Sequence, residues 1–409
     1  MEKIKENRRA WNDGSAKSIT FIVTKDCQLA CKYCYLVGKN EKERMSFDVA
    51  KKAIDYILAN ENDSLFAYKS VTWDFIGGEP FLEIDLIDKI CDYIKKELYR
   101  LNHHWFDSFR FSFSTNGINY SSPKVQEFIQ KNRNHISIGI TIDGTQKKHD
   151  LNRIWKGEGT ERGSYYDVLK NIPLWREQFP NEGTKVTISS ADIPYICESV
   201  LHLYSLDIHT VNINVVFEDV WEEGDDRLFE EQLMQLADAI IDGNYYKEYA
   251  CSFFSEQIGK PMDRKYQNIN WCGAGKMLSI DAAGNFYPCT RFAQYSLREK
   301  KAWIIGNIND GIDANKVRGF QCLDRCTQST QECIDCEVAD GCAWCQGENY
   351  DAAETPTAYQ RATAICKMHK ARVRANNYYW NKLYRKLELE GKREEFEANK
   401  PSANDNIIC

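Results

Sequence analysis

Three cysteines stand close together near the start of the chain, in Cys27-Gln-Leu-Ala-Cys31-Lys-Tyr-Cys34-Tyr35. Spacings of three and two intervening residues put three thiolates on one loop, enough to hold three corners of a cubane iron–sulfur cluster. No fourth cysteine lies nearby. A cluster held this way keeps one iron open to a small molecule, as a catalytic metal site does. Tyr33, before the third cysteine, offers an aromatic face to cover it. A structural zinc site is the other chemistry that clustered thiolates support.

Polar residues recur at the ends of apolar runs further on. Gly77-Gly78-Glu79-Pro80 combines two glycines, which let a ligand approach the backbone, with a carboxylate that can accept from an ammonium; the same residues also suit an ordinary turn. Ser114-Thr115-Asn116-Gly117 and Thr141-Ile142-Asp143-Gly144 follow, the latter succeeded by His149, Asp150 and Arg153. Asn116 and Asp143 either reach a ligand or close turns. A guanidinium such as that of Arg153 pairs bidentately with a carboxylate.

A second cysteine-rich region begins at Cys272. Eleven residues separate it from Gly284 and four more lead to Cys289. Gly284 sits in Asp281-Ala-Ala-Gly-Asn285, which reads as a tight hairpin bringing Cys272 and Cys289 together. Cys333-Ile-Asp-Cys336, Cys342-Ala-Trp-Cys345 and Cys366 follow. Cys-x2-Cys pairs suit tetrahedral zinc as well as iron–sulfur clusters. Cys322 and Cys326 are surplus, able to complete a ligand set or to stand by; Cys91, Cys197, Cys251 and Cys409 read as plain thiols.

The elements that must position these residues are legible as an alternation. Runs of β-branched and aromatic residues at 18–24, 71–76, 109–114, 136–142, 184–189 and 211–216 predict six strands. Helical periodicity lies between them, as at 46–60, where Ser46 is a plausible N-cap, and at 84–100. Alternating strands and helices argue for a parallel sheet with right-handed crossovers. The fold class expected is α/β, a partial (β/α)6 barrel of the TIM type with the motifs at the strand C-terminal ends, where barrel enzymes place their chemistry. The domains expected are a lead-in over 1–17, the partial barrel over 18–225, a helical connection over 226–270 beginning with an amphipathic helix, a metal-organised cysteine-rich domain over 271–370, and a helix and tail over 371–409.

Bulk properties set limits. The 409 residues include 43% hydrophobic and 28% charged side chains, ordinary for a globular protein. A net charge of −7 and the lack of a dense basic run argue against nucleic acid or anionic membrane as partners. The charged N-terminus lacks a signal-peptide apolar core, and no run long enough to span a membrane occurs, so a cytoplasmic location is expected. There, sixteen cysteines read as metal-binding or catalytic rather than as disulfides.

The early loop resembles the signature of the radical S-adenosylmethionine (SAM) enzymes, and Gly77-Gly78-Glu79-Pro80 resembles their Gly-Gly-Glu-Pro motif. The resemblance implies that Cys27, Cys31 and Cys34 bind a [4Fe–4S] cluster, and that Tyr33, Gly77, Gly78, Glu79, Pro80, Asn116, Asp143 and Arg153 serve cofactor binding. It also implies Ser189, or its neighbour Ser190, at the ribose hydroxyls. The second half resembles the SPASM extension of peptide-modifying members, which carries two auxiliary clusters. Carried over residue by residue, Cys272, Cys289 and Cys345 bind the first, and Cys333, Cys336, Cys342 and Cys366 the second. This chain departs in two places: one cysteine gap is two residues instead of the usual three, and the cysteine that relatives place shortly before Cys272 is missing. The first auxiliary cluster is therefore expected to have an open iron.

Cys342-Ala-Trp-Cys-Gln-Gly-Glu-Asn-Tyr-Asp351 and Ile365-Cys-Lys-Met-His-Lys-Ala-Arg372 look like the thioether-forming subfamily whose targets carry spaced-cysteine repeats. That resemblance implies reductive cleavage of SAM to a 5′-deoxyadenosyl radical, hydrogen abstraction from a cysteine-rich, ribosomally made precursor peptide, and a link from cysteine sulfur to carbon. It further implies an electron donor such as flavodoxin or ferredoxin. With the first strand near residue 18, no added leader-binding domain is expected ahead of it. The alternatives are an anaerobic sulfatase-maturing enzyme, which makes formylglycine, and a zinc-stabilised peptide-binding module.

Overall fold

The computed structural model describes residues 16–39, 41–157, 161–263 and 272–401. The lead-in expected over 1–17 falls almost wholly outside them, as do Trp271, Cys409 and the tail beyond Pro401. The strands are β1 (Ala16–Thr24), β2 (Ser70–Gly77), β3 (Phe109–Thr115), β4 (Ile136–Ile140), β5 (Thr184–Ile188), β6 (Thr210–Val215), β7 (Ala250–Cys251), β8 (Leu278–Ile280), β9 (Asn285–Tyr287), β10 (Gly306–Asn307) and β11 (Gly311–Ile312). The first six lie where alternation placed them, and the helices predicted between them include Phe47–Ala59 and Ile84–Arg100. Ser46 caps the former, its side chain accepting from the Val49 amide, and Ala50, Ala53, Ile54, Ile57 and Leu58 form the buried face. The fold is α/β with parallel strand pairing, and among the described residues no helix is long and apolar enough to cross a membrane.

The chain divides into two compact units, each discontinuous in sequence. One comprises Met1–Ala30, Cys34–Gly139 and Gly273–Leu323; the other comprises Cys31–Tyr33, Ile140–Cys272 and Asp324–Cys409.

In the first unit a sheet runs in the order β11-β10-β9-β8-β1-β2-β3-β4. β1 is central. It pairs in parallel with β2 from Ala16↔Ser70 to Thr24↔Gly77, and on its other side with β8 through Ile19↔Leu278, Thr20↔Ser279 and Phe21↔Ile280. Ile19, Phe21 and Val23 have no exposed surface, as a strand covered on both faces requires. Aromatic rings cross the sheet from strand to strand: Phe21 stacks with Phe75 at 5.7 Å between centroids, and Phe75 with Phe113 at 5.3 Å. The Asp281–Asn285 turn joins β8 and β9 as an antiparallel hairpin, as its sequence predicted. The parallel docking of β8 on β1 was not predicted; it joins segments more than 250 residues apart.

The second unit has a parallel sheet in the order β5-β6-β7. The amphipathic helix expected at the start of the 226–270 connection is Asp225–Asp242, and Cys366–Leu389 lies along it. Their buried faces carry Phe229, Leu233, Leu236 and Ile240 on one helix and Ala375, Tyr379, Leu383 and Leu387 on the other. Polar bonds flank this seam: Tyr378 Oη and Lys382 Nζ donate to Asp238 at 2.6 and 2.7 Å, and Lys386 Nζ to the Ile241 carbonyl at 2.8 Å. Exposed ion pairs of this kind contribute little, so the apolar seam holds the helices.

Candidate active site and cysteine clusters

β1 and β2 end side by side, and the glycine strap binds the start of the cysteine loop. Gly78 N donates to Thr24 O at 3.0 Å, and Glu79 N to Asp26 O at 2.9 Å. A Cβ on Gly78 would stand 2.3 Å from Asp26 O and 2.8 Å from Cys27 Cβ. The glycine there is dictated by the approach of the cysteine loop itself, a reason the sequence did not disclose. Glu79 is 1% exposed. Its Oε1 accepts from Thr115 Oγ1 at 2.7 Å and from the Phe81 amide at 3.0 Å, and Oε2 accepts from the Asn116 amide at 2.7 Å. The carboxylate thus ties the end of β3 to the strap, and three protein donors already occupy it.

Asn116 continues the chain of contacts. Its Nδ2 donates to Gln28 Oε1 at 3.0 Å and lies 3.9 Å from Cys27 Sγ, which also receives the Leu29 amide at 3.4 Å. Two N–H groups thus converge on the Cys27 sulfur, as hydrogen bonds to a metal-ligating sulfur do. The surroundings of Cys27 therefore fit a cluster ligand.

In the second unit, Tyr33 Oη donates to Asp143 Oδ2 at 2.5 Å and accepts from Arg153 Nη1 at 3.1 Å. Lys32 N donates to Asn152 O at 3.0 Å. Asp143 is fully buried; burial raises its pKa, but the charges of Lys148 and Arg153 and the hydrogen bond from Tyr33 outweigh that and hold it below the ordinary carboxylate value. Burial, and then the charge of Arg153, push His149 down to about 3, so its ring is neutral; Nδ1 accepts the Asp143 amide at 3.2 Å. Asp143 therefore orients Tyr33 directly. The Nε of buried Arg153 has no partner among the described residues, a donor that fits an anionic group such as a carboxylate. Gly144, with φ +127°, leaves room for Ser199, whose Cβ would lie 2.1 Å from an added methyl.

Reading the sequence missed the residues behind this front. Buried Lys148 donates to Thr187 O at 3.0 Å and lies 3.5 Å from Asp192 Oδ1. Asp192 accepts from Asn152 Nδ2 at 2.8 Å and from Ser189 Oγ at 2.6 Å. The hydroxyl of Ser189 is thus turned to a helix cap and presents only its lone pairs elsewhere. A lysine in the helix Gln146–Asn152 and an aspartate in the 3-10 turn Ser190–Tyr195 leave no local pattern to find.

The cysteine-rich region gathers Cys333, Cys336, Cys342 and Cys366 around one cavity of about 40 Å³ in the second unit, lined also by Arg325, Arg361 and His369. Burial pushes the Cys342 thiol up, with Arg361 opposing; burial likewise raises Cys366. Such thiols ionise when metal takes their protons' place, and four on one cavity fit a four-thiolate cluster. Of the remaining three, Cys289 follows β9 in the first unit, while Cys272 and the buried Cys345 belong to the second. Cys322 is exposed. Burial pushes Cys251 up to about 12 and raises Cys91 and Cys197, as inert thiols require. Glu61, His103 and His104 also converge. There the Trp105 amide donates to His103 Nδ1 at 3.1 Å, which puts the ring proton on Nε2 and takes that nitrogen out of metal ligation.

Residues 21–190 match the family described as the Radical SAM superfamily. The chain carries a radical SAM domain, and the radical SAM family uses a [4Fe–4S] cluster together with SAM. An uncharacterized protein of Methanocaldococcus jannaschii is 27% identical over 311 residues, 76% of this chain and 95% of that protein. The cysteine-type anaerobic sulfatase-maturating enzyme of Clostridium novyi is 28% identical over 164 residues, 39% of this chain and 40% of its own length. Among solved structures, anSMEcpe with bound AdoMet superposes with a TM-score of 0.65 at 18% identity, covering 91% of this chain and 99% of that one. Streptococcus suis SuiB bound to precursor peptide SuiA gives 0.54 at 14% identity, covering 89% and 79%. The two structural likenesses, covering 91% and 89% of this chain, extend past residues 21–190 into the cysteine-rich second half.

Proposed function

We propose that this chain is a radical SAM peptide maturase that joins cysteine sulfur to carbon in a ribosomally made, cysteine-rich precursor. The observation that carries this reading is a second group of cysteines, Cys333, Cys336, Cys342 and Cys366, gathered on one cavity in addition to the three-cysteine loop. The cluster and SAM, when bound, supply one-electron chemistry able to activate an unreactive carbon–hydrogen bond. Cys27, Cys31 and Cys34 hold that cluster. The Gly77–Pro80 strap and Glu79 brace Cys27, while Asp143 and Arg153 lock Tyr33 between the second and third ligands. The Nε edge of Arg153, unpartnered among the described residues, would receive the SAM carboxylate, and Ser189, its proton given to Asp192, would accept from the ribose hydroxyls. The resemblance to the SPASM extension assigns Cys272, Cys289 and Cys345 to a further cluster, and a cluster with three protein ligands leaves a position where a substrate thiolate can bind. SuiB, whose structure contains its precursor peptide, supports a peptide substrate here, and a small electron-transfer protein is the expected reductant.

The likeness to anSMEcpe over 91% of this chain, with the match to a sulfatase-maturating enzyme, favours formylglycine formation as the second reading. Product mass separates the two. With the anaerobically reconstituted protein and a candidate cysteine-rich peptide, each thioether link removes two hydrogens and one titratable thiol, whereas formylglycine formation from cysteine removes the sulfur. In the same assay Cys31→Ala is expected to abolish 5′-deoxyadenosine formation; normal turnover by that variant overturns the assignment of the loop.

A further inference from the structure

Two arginines line the cavity of the four cysteines, and they are used differently. Arg325, 1% exposed, is committed to backbone: Nη1 donates to Ala339 O at 3.2 Å and Nη2 to Cys333 O at 2.7 Å. It holds the loop that carries the cysteines. Arg361 addresses a sulfur. Its Nη2 donates to Cys342 Sγ at 3.1 Å, its Nη1 donates to Ser329 Oγ at 3.1 Å, and its guanidinium lies 4.8 Å from the centroid of the Trp344 ring. A hydroxyl and an indole face thus fix a long, rotamer-rich side chain so that one N–H points at one sulfur of the four.

General attraction between a cation and thiolates explains an arginine nearby. It does not explain two further anchors that hold the fork on Cys342. A hydrogen bond to a ligand sulfur withdraws charge from the metal–sulfur unit, and it strengthens when the unit gains an electron. Such bonds are among the factors that set cluster potentials. The guanidinium also adds a positive charge at close range, which acts in the same direction.

We propose that Arg361 is a positioning residue that raises the reduction potential of the cluster held by Cys333, Cys336, Cys342 and Cys366, through its hydrogen bond to Cys342. This rests on the reading of those four cysteines as ligands. The couple concerned is the uptake of one electron by the oxidised cluster, with no bond or proton changing hands. A higher potential makes that uptake easier, which suits a site that receives an electron.

The test is a dithionite redox titration of the reconstituted full chain followed by electron paramagnetic resonance, in wild type, Arg361→Gln and Arg361→Lys. The signal of this cluster is identified as the one lost, together with its share of iron, in the Cys333→Ala/Cys336→Ala double variant. In Arg361→Gln that signal is expected to move to a more negative midpoint while the other signals stay in place. Arg361→Lys, which keeps the charge and loses the planar fork, is expected to shift it the same way by less. Should Arg361→Gln take up no cluster, Arg361→Lys decides alone. An unmoved midpoint, or an equal movement of every signal, overturns the proposal. If the double variant loses neither iron nor a signal, the ligand assignment itself falls, and the role of Arg361 falls with it.

Discussion

Gly78 shows how one missing side chain shapes the site. The strap lies against the cysteine loop so closely that any Cβ there meets the Asp26 carbonyl at 2.3 Å. Gly78→Ala is expected to push the loop off its strand end. The measured outcome is a loss of roughly one cluster's iron, about four atoms per chain, and of SAM cleavage, while the iron of the second cysteine cavity is retained. Lys17 is a different case. It is 1% exposed, its Nζ donates to Lys276 O at 2.5 Å, and burial, opposed only weakly by the charge of Asp63, lowers its pKa to about 7. A folded pKa below the unfolded value of 10.5 means the buried charge destabilises the fold fully below about pH 7. That destabilisation fades as pH rises from there towards the unfolded value. Lys17→Met is therefore expected to stabilise by roughly 1–3 kcal/mol near neutral pH, the shift being partly offset by the unpaired Lys276 carbonyl. In denaturant titrations the gain should vanish, then reverse, as pH approaches 10. A gain independent of pH would contradict a buried charge at this position.

At the scale of elements, the helix Cys366–Leu389 joins packing to metal binding. Its first residue is a proposed cluster ligand, and its buried stripe lies along the helix Asp225–Asp242. Leu383 has no exposed surface, so Leu383→Ala is expected to cost about 2–5 kcal/mol. Lys382→Ala removes the neighbouring bond to Asp238, with both side chains about 40% exposed, and should cost no more than about 1 kcal/mol. Urea unfolding compares them, and similar losses would argue against an apolar seam. The sequence made a helix legible here, expected within 371–409, because periodicity is local. The same holds for the six strands and for Ser46 as a cap. The partner of β1 was not legible. β8 is three residues long, and its pairing with β1 depends on two faces meeting across most of the chain.

At the scale of the whole molecule, the cysteine-rich region ahead of the helix Cys366–Leu389 has little regular structure, with Cys326 and Cys333 on four-residue helices. Metal then contributes to stability as a cross-link does. Stripping iron from the reconstituted chain with a chelator is expected to lower the thermal midpoint. In Cys336→Ala/Cys342→Ala the same treatment should lower it by less, because one bound cluster is already gone; equal drops would show that the four-cysteine cavity does not couple to folding. What the sequence determined by itself was the chemistry: three cysteines on one loop, nine more between Cys272 and Cys366, and polar motifs at strand ends, because these signals are short-range and carried by residue type. Tertiary structure alone decided what each polar group faces. It turned Glu79 towards Asn116 and Thr115, set Asp143 on Tyr33, placed Lys148 between Asp143 and Asp192, and aimed Arg361 at Cys342. Buried donors and acceptors must find partners wherever the folded chain brings them, and that pairing is a property of three-dimensional proximity which no spacing along the chain records.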